Sequence, residues 1–224
     1  MSLILSLETA TTNCSVALSN DGKIVAVRSI NDGFSHSEKI NIFIAEVLEQ
    51  ANKIINQLEA VAVSIGPGSY TGLRIGVSTA KGLCYGLGIP LIAVNTLDAM
   101  AEGIAATPDE LIIPMIDARR MEAYCAVYTS DKKNMAAAEA VIIDEQFYLR
   151  FRENNNLVLA GDGADKCIPL FQNENSIRIL SSFVPKAEYV SIVANRKFHR
   201  QEFENVSLIE PFYLKEYLAG KKKE

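Results

Sequence analysis

A short glycine-rich loop is the part of the chain best suited to bind an anion. It follows an apolar run, residues 60–65, and precedes a segment of small residues that favours a helix. Glycine lets a backbone approach other groups closely, and the amides at a helix N-terminus attract anions. A tight structural connection is the competing interpretation, because the Walker A and GxGxxG patterns are both absent. The candidate loop residues are Gly66, Pro67, Gly68, Ser69, Thr71 and Gly72.

Two acidic residues each follow an apolar run that is typical of a strand. Glu8 lies near the start of the chain, and Asp117 lies near its middle. Carboxylates at strand ends in a crevice between domains can hold a metal–phosphate complex, although a solvated or capping carboxylate fits equally well. Arg119 and Arg120 follow Asp117 and are candidates for binding an anion. A solvated loop is the alternative for these two arginines.

Metal chemistry and nucleophilic chemistry have little support in the sequence. The chain has two histidines, and the residue four positions after His36, where a second helical ligand would lie, is Ile40. The four cysteines lie in or beside apolar runs without CxxC spacing, as buried cysteines often do. Neither histidine is near a GxSxG-like motif. We therefore predict no metal site and no catalytic residue.

Composition limits the class of protein. The chain has 224 residues, of which 49% are hydrophobic, and a net charge of −5. This length predicts one large domain or two modest ones. The acidic balance argues against a free-standing nucleic-acid binder. No stretch resembles a signal peptide or a membrane span, so we expect a soluble, cytoplasmic protein.

Hydrophobic patterning predicts a compact order of elements in the first hundred residues. Strands are expected at 3–7, 15–18 and 24–30, and a turn at 20–22 joins the last two. A helix follows from Ser35, with Glu38 completing a capping box. Ile42 lies off the apolar stripe of this helix and indicates surplus apolar surface. The stripe itself comprises Ile40, Phe43, Ile44, Val47, Leu48, Ala51, Ile54 and Ile55.

A second long helix is expected at 71–87. It contains Gly76, Gly82 and Gly86, and each glycine costs about 1 kcal/mol of helix stability relative to alanine. We interpret them as places where another backbone, from the sheet or from a partner, approaches closely. A shorter helix is expected at 97–106.

The opening pattern returns later in the chain. A shift of roughly 109 residues aligns Leu7-Glu8 with Ile116-Asp117, which indicates an internal repeat. With polar residues and a proline at 107–109, this predicts two related halves, residues 1–106 and 107–224. In the second half we expect strands at 141–143 and 157–160 and a helix at 187–198. Residues 161–163 are its shorter candidate for a glycine loop.

Five strings spread over the chain resemble the bacterial TsaB (YeaZ) family. They are LSLETATTNCSVAL at 5–18, SHSE at 35–38, GPGSYTGLRIGVSTAKGL at 66–83, IDARRMEAY at 116–124 and IEPFYLKE at 209–216. The resemblance implies an α/β protein of the actin/Hsp70-like ATPase (ASKHA) fold, with two RNase H-like halves whose mixed sheets are flanked by helices. It also implies a role in tRNA modification.

The resemblance further implies a non-catalytic subunit that dimerises with the paralogue TsaD. With the ATPase TsaE, the pair would transfer threonylcarbamoyl to the tRNA adenosine next to the anticodon. ATP or ADP and a metal ion would belong to the partner subunits, tRNA would be contacted only indirectly, and the chain would form a homodimer when the partner is absent. An independent ATPase or sugar kinase of this fold, or a metallopeptidase, remains the alternative.

Two helices are expected to form the interface with this partner. They are the helix that begins near residue 35 and the glycine-bearing helix at 71–87. The candidate interface residues are His36, Ile40, Ile42, Phe43, Val47, Gly76, Val77, Ala80 and Leu83.

Overall fold

A computed structural model describes residues 2–33, 35–144, 147, 150, 156–171 and 173–215. The strands are β1 (Leu3–Glu8), β2 (Asn13–Asn20), β3 (Lys23–Asn31), β4 (Ala60–Gly66), β5 (Leu91–Asn95), β6 (Glu110–Asp117), β7 (Glu122–Tyr128), β8 (Asn134–Ile142), β9 (Asn156–Ala160) and β10 (Ile177–Leu180). The helices are α1 (His36–Gln50), α2 (Tyr70–Leu87), α3 (Thr96–Glu102), α4 (Asp162–Asp165), α5 (Ile168–Phe171) and α6 (Ala187–His199).

The ten strands form two five-stranded sheets with the same topology. The first has the order β3-β2-β1-β4-β5, and the second has the order β8-β7-β6-β9-β10. In each sheet the first three strands in sequence are antiparallel, and the last two add in parallel. The repeat that the sequence predicts is therefore confirmed, and so is the mixed-sheet α/β class.

Helices cover both faces of the first sheet. Helices α1 and α2 pack on one face, where Leu5 and Leu7 of β1 meet Val47 and Val77. Helices α3 and α6 lie between the two sheets: α6 contacts the first sheet through Val190, and α3 contacts the second. Because β1 and β4 are covered on both faces, they are almost continuously apolar, as buried central strands are.

The chain crosses between the halves after β10. Helix α6 packs against β1 and β2 of the first sheet, and its Ser191 hydroxyl donates to the Ser6 hydroxyl at 2.8 Å. Beyond α6, the amide of Glu204 donates to the carbonyl of Leu91 in β5 at 2.9 Å. The division into residues 1–106 and 107–224 remains a prediction about domains, but residues of both ranges build the first half of the structure.

Helix α1 is shorter than the apolar stripe predicted. It ends at Gln50 because Asn52 adopts a left-handed conformation with φ of 52°, which is a common helix stop. Ile54 and Ile55 lie beyond it and are exposed. The predicted capping box is also wrong, since the Ser35 hydroxyl donates to Asp32 at 2.7 Å instead of capping the helix.

Three further boundaries differ from the prediction. The helix expected at 97–106 spans Thr96–Glu102 and stops at Gly103. The strand expected at 141–143 is the end of the longer β8. The exposed alanines of β8 hide the alternation of apolar and polar residues that would reveal a strand. Strand β10 was not predicted, because its four residues carry no turn signal of their own.

Candidate functional site

A cleft separates the two halves at the carboxyl ends of β1, β4 and β6. Its volume is about 1180 Å³. The glycine loop and the turn after β1 line one wall, the turn after β6 lines the other, and residues near 212–215 lie at its mouth. This edge of an α/β sheet is the usual place for ligands, so the cleft is the first candidate site.

The two strand-end acids occupy equivalent positions at the ends of β1 and β6, and Asp117 lines the cleft. A Glu8 carboxylate oxygen accepts a hydrogen bond from the amide of Ala10 at 2.6 Å. An Asp117 carboxylate oxygen accepts one from the amide of Arg119 at 2.5 Å. Each acid thus caps the turn that follows its own strand. This shared contact supports the internal repeat at the level of single atoms.

Glu8 is completely buried. Burial raises the pKa of its carboxyl to about 7, although the amide of Ala10 works in the opposite direction. Its second carboxylate oxygen has no hydrogen-bond partner among the described residues. A carboxyl that is buried and partly protonated at neutral pH is a poor ligand for a hydrated metal ion.

Asp117 is exposed and ion-paired. Its carboxylate contacts the Lys166 ammonium at 2.5 Å, and its amide donates to Asp162 at 2.9 Å. Lys166 also donates to the carbonyls of Arg120 and Glu122, at 2.6 and 3.1 Å. Lys166 therefore holds the whole turn between β6 and β7. Nothing in the sequence marks Lys166 as the partner of Asp117, because 49 residues separate the two.

Arg119 and Arg120, the candidate anion-binding residues, lie on this turn. Both have left-handed backbones, with φ of 69° and 52°, and both are exposed in the wall of the cleft. Within the described part of the chain, neither guanidinium forms an ion pair. The turn therefore presents two uncompensated positive charges to the cleft.

The glycine loop packs tightly against the turn after β1. The amide of Ser69 donates to the carbonyl of Ala10 at 2.6 Å, and the Thr9 hydroxyl donates to the carbonyl of Gly72 at 2.7 Å. A side chain on Gly68 or Gly72 would overlap the carbonyl oxygens of Ala10 and Thr9. The glycines thus permit close backbone packing, which is the structural interpretation that the sequence left open.

The start of α2 faces the cleft beside this contact. The Ser69 hydroxyl accepts from the amide of Gly72 at 3.3 Å and caps the helix. Pro67 follows Gly66 through a cis peptide bond, and Thr71 is exposed at the cleft wall. The loop's proposed role in anion binding remains a prediction.

His36 is buried in the same wall, with 8% of its surface exposed. Its Nε2 donates to the carbonyl of Thr11 at 2.8 Å. Its Nδ1 has no hydrogen-bond partner among the described residues, and the same is true of the Thr11 hydroxyl. Across those residues, no group of three or more His, Cys, Asp or Glu side chains could hold a metal ion.

Most of the candidate interface residues face the chain's own core. His36, Ile40, Val47, Gly76, Val77 and Ala80 are buried. Phe43 and Leu83 are partly buried against the same core. For the six buried residues, the predicted contact with a partner needs correction, because an amphipathic helix turns its apolar stripe toward its own sheet. For Phe43 and Leu83, the interface role remains a prediction. Ile42 is 48% exposed and lies on the surface, as predicted.

The outward face of α2 carries a stripe of which only the two glycines were noted from the sequence. Ser78, Gly82, Tyr85 and Gly86 are exposed on it, and Tyr85 has 84% of its surface exposed. In the part of the chain that the structure describes, no atom from outside the helix's own backbone lies within 4 Å of a Cβ added to Gly82 or Gly86. A helical spacing of four and three residues could have revealed this stripe.

The comparisons with known proteins identify the family. A family model described as TsaD, tRNA N6-adenosine threonylcarbamoyltransferase, matches residues 33–220. The tRNA threonylcarbamoyladenosine biosynthesis protein TsaB of Escherichia coli (strain K12) is 32% identical over 225 residues, covering 98% of this chain and 97% of that protein. This chain belongs to the TsaB family. The TsaB protein of Haemophilus influenzae is 28% identical and covers 98% of this chain and 96% of its own length.

Solved structures support the same assignment. YeaZ from Pseudomonas aeruginosa has a TM-score of 0.80 and 26% identity, with 96% of this chain and 100% of that chain covered. The activator of the 2-hydroxyisocaproyl-CoA dehydratase from Clostridium difficile, with bound ADPNP, has a TM-score of 0.55 and 11% identity, covering 91% and 98%. The TsaB family member described here therefore has the ASKHA fold, as predicted, and acts in tRNA threonylcarbamoyladenosine biosynthesis.

Proposed function

We propose that this chain is the non-catalytic, activating subunit of threonylcarbamoyl transfer to the tRNA adenosine next to the anticodon. In this proposal it pairs with TsaD and works with the ATPase TsaE, in the cytoplasm. Membership of the TsaB family supports the pathway. The observation that carries the pairing is the exposed surface of α1 and α2, which we call the α1–α2 face and define by Ile42, Ser78, Gly82, Tyr85 and Gly86.

The α1–α2 face has the properties of a site for a partner's helices. Gly82 and Gly86 weaken α2, and no contact among the described residues explains them. A closely approaching helix would account for them. Tyr85 places apolar surface beside these glycines on the same helix, and Ile42 adds exposed apolar surface on α1. Exposed tyrosines are frequent energetic centres of interfaces.

No helix in the described ranges is long and apolar enough to cross a bilayer.

The condition of the two strand-end acids supports a non-catalytic role. Glu8 is buried with a raised pKa, and Asp117 is engaged by Lys166, so neither is poised to hold a metal–phosphate complex. We assign ATP or ADP and the metal ion to the partner subunits. Because the chain carries a net charge of −5, we also assign most tRNA contacts to the partners.

Reconstitution tests the proposed role. Incorporation of labelled threonine into tRNA is measured with TsaD, TsaE, the synthase of the carbamoyl-adenylate donor, and this chain. We expect modification to require this chain. Undiminished modification in its absence would refute the proposal.

Variants of the α1–α2 face test the pairing. Tyr85→Ala and Gly82→Leu should each weaken TsaD binding at least tenfold, which is the range of an interface centre. Met135→Ala is the matched control, because Met135 is 64% exposed on β8, in the other half. Isothermal titration calorimetry gives the affinities. Equal binding by all three variants would place TsaD elsewhere.

The same variants test self-association. Without TsaD, we expect the chain to form a homodimer through the α1–α2 face, since one such face can pack against a second copy around a twofold axis. Light scattering should show a dimer for the natural chain and for Met135→Ala, and a larger monomer fraction for Gly82→Leu.

An independent ATPase is the competing function, and the cleft is the feature that favours it. Steady ATP hydrolysis by the purified chain, lost on Arg119→Gln with Arg120→Gln, would support that alternative. Under our proposal the pure chain shows no appreciable hydrolysis. Glu8→Ala and Asp117→Ala should also reduce threonylcarbamoyl transfer less than the α1–α2 face variants do.

A further inference from the structure

After α6 the chain returns across the first half as a strap, which we define as residues 203–215. The strap begins beside β5, where the Glu204 amide bonds to the Leu91 carbonyl. It then crosses α2, where the Lys81 ammonium donates to the carbonyls of Ser207 and Ile209 at 3.2 and 3.0 Å. The Phe212 amide donates to the carbonyl of Ile65 at 2.7 Å, so the strap reaches the end of β4.

Near the cleft, aromatic and cationic groups fix the strap to the start of α2. The rings of Tyr70 and Tyr213 are 5.1 Å apart between centroids. The Arg74 guanidinium lies 3.9 Å above the Tyr70 ring, and its Nε donates to the Tyr213 hydroxyl at 3.2 Å. Gly66 has no side chain to displace the Phe212 carbonyl, which lies against it. Residues of β4 and α2 thus hold the strap at the mouth of the cleft.

The strap then crosses to the second half. The Lys215 ammonium forms an ion pair with the Glu122 carboxylate at the start of β7. Glu122 belongs to the turn that Lys166 organises, because its own carbonyl accepts from Lys166. The ion pair therefore connects a segment anchored on α2 to the opposite wall of the cleft.

We propose that the strap is a latch across the cleft, with the Lys215–Glu122 ion pair as its catch. Its contacts with α2 and β4 fix one end to the first half, and the ion pair fixes the other end to the second half. The latch limits how far the two walls separate. When the ion pair breaks, the halves open about the α3–α6 layer, and the glycine loop and the turn after β1 become more accessible to solvent.

Charge reversal and charge exchange test the latch. Backbone hydrogen–deuterium exchange is followed in segments 9–13, 67–72 and 118–121 of the full chain, with Lys215→Glu, Glu122→Lys and the double exchange. Because the two side chains are partly exposed, we expect each single reversal to speed exchange in all three segments by about two- to fivefold. The double exchange should restore the rates of the natural chain.

Lys133→Glu is the matched control. It reverses one member of the exposed Lys133–Asp131 pair, which lies in the β7–β8 hairpin and outside the residues that line the cleft. It should leave all three segments unchanged. The latch is refuted if the single reversals loosen only the strap and not the cleft, or if the double exchange is as fast as the singles. Thermal unfolding of each variant distinguishes local opening from loss of the fold.

Discussion

The two halves place an acid at the same point of the same topology, yet the two acids have opposite surroundings. Glu8 and Asp117 each end the central strand of a sheet and cap the following turn. Glu8 is fully buried, whereas Asp117 is exposed and paired with Lys166. A repeat therefore preserves the backbone role of a residue more faithfully than its charge state, because the backbone role depends on local turn geometry and the charge state depends on distant neighbours.

The crossovers that follow the parallel strands show a second difference. Gly66 ends β4 and Gly161 follows β9, with φ of 127° and 116°. The first leads into the 18-residue helix α2 and the second into the four-residue helix α4. The strand-to-helix corner is thus common to both halves, and the length of the helix distinguishes them. Among the described residues, only the first half presents a long helix at this corner that a partner could bind.

The largest expected effect is at Gly161, at the strand-to-helix corner of the second half, and it tests whether this position requires glycine. In Gly161→Ala, the new methyl group would overlap the Met115 carbonyl, at a φ that alanine rarely adopts. We expect a loss of about 3 kcal/mol or more in the free energy of unfolding, measured by urea denaturation. Gly88→Ala is the control, with a positive φ and no neighbour within 4 Å, and should lose only about 1 kcal/mol. Equal losses would show that overlap is unimportant.

The next effect concerns the dependence of stability on pH that Glu8 causes. Burial raises the pKa of the Glu8 carboxyl from its ordinary value of 4.5 to about 7 in the folded chain, so between these values the folded state binds more protons than the unfolded state. The contribution of Glu8 to the free energy of unfolding therefore falls as pH rises through this interval, by up to about 3 kcal/mol.

Glu8→Gln makes this prediction measurable. The glutamine oxygen can still accept from the Ala10 amide, and the buried side chain can no longer ionise. The variant should be more stable than the natural chain by about 2 to 3 kcal/mol at pH 8, and this advantage should vanish below about pH 4. Glu49→Gln, on the exposed side of α1, controls for general loss of negative charge. A pH-independent difference would contradict the buried titration.

A smaller effect is expected at the Asp117 turn. Lys166→Met removes the ammonium that holds Asp117 and two carbonyls, while its length preserves packing. Because the pair is partly exposed, we expect the free energy of unfolding to fall by about 1 kcal/mol. Amide exchange at 118–122 should become faster. Lys133→Met, at the exposed hairpin pair, should change neither quantity. Unchanged exchange in Lys166→Met would show that the turn holds its shape alone.

The smallest effect compares two faces of α2. Gly82→Ala should raise the free energy of unfolding by about 0.5 to 1 kcal/mol, because the site is open and alanine favours helix. Gly76→Ala should lower it, since its methyl group would meet Thr9 and Val63. Thermal unfolding under conditions that keep both variants monomeric measures the two signs. Stabilisation by both would mean that α2 does not pack as closely on β1 as described.

Sequence alone predicted what is periodic or local. Most of the strands, the two long helices and the equivalence of Glu8 with Asp117 followed from hydrophobic spacing and from one repeated order. Helix ends were less accurate, because a single left-handed residue such as Asn52 stopped α1 while the apolar stripe continued to Ile55. A periodic pattern reports which residues are apolar, and it does not report where the backbone turns.

The candidate sites were harder to predict for a different reason. Val77 and Ala80 are small apolar residues of the kind found where helices meet, but they face the chain's own sheet. The outward stripe of α2 runs through Gly82 and Tyr85. Lys166, Glu122 and the strap act through contacts between distant parts of the sequence. Such contacts depend on the finished packing of two sheets and carry no local signature.

The crossing of the chain after β10 has a consequence for biosynthesis. The inner surface of the first sheet is covered by Val190, Val193 and Ala194 of α6, which leave the ribosome long after Val94. Roughly a hundred residues separate them, so at bacterial translation speeds this apolar surface stays uncovered for about 5 to 20 seconds. During that time the second sheet is made and can fold. The half that is synthesised first is therefore completed last, and chaperones have their longest opportunity to bind at the inner face of β1 and β4.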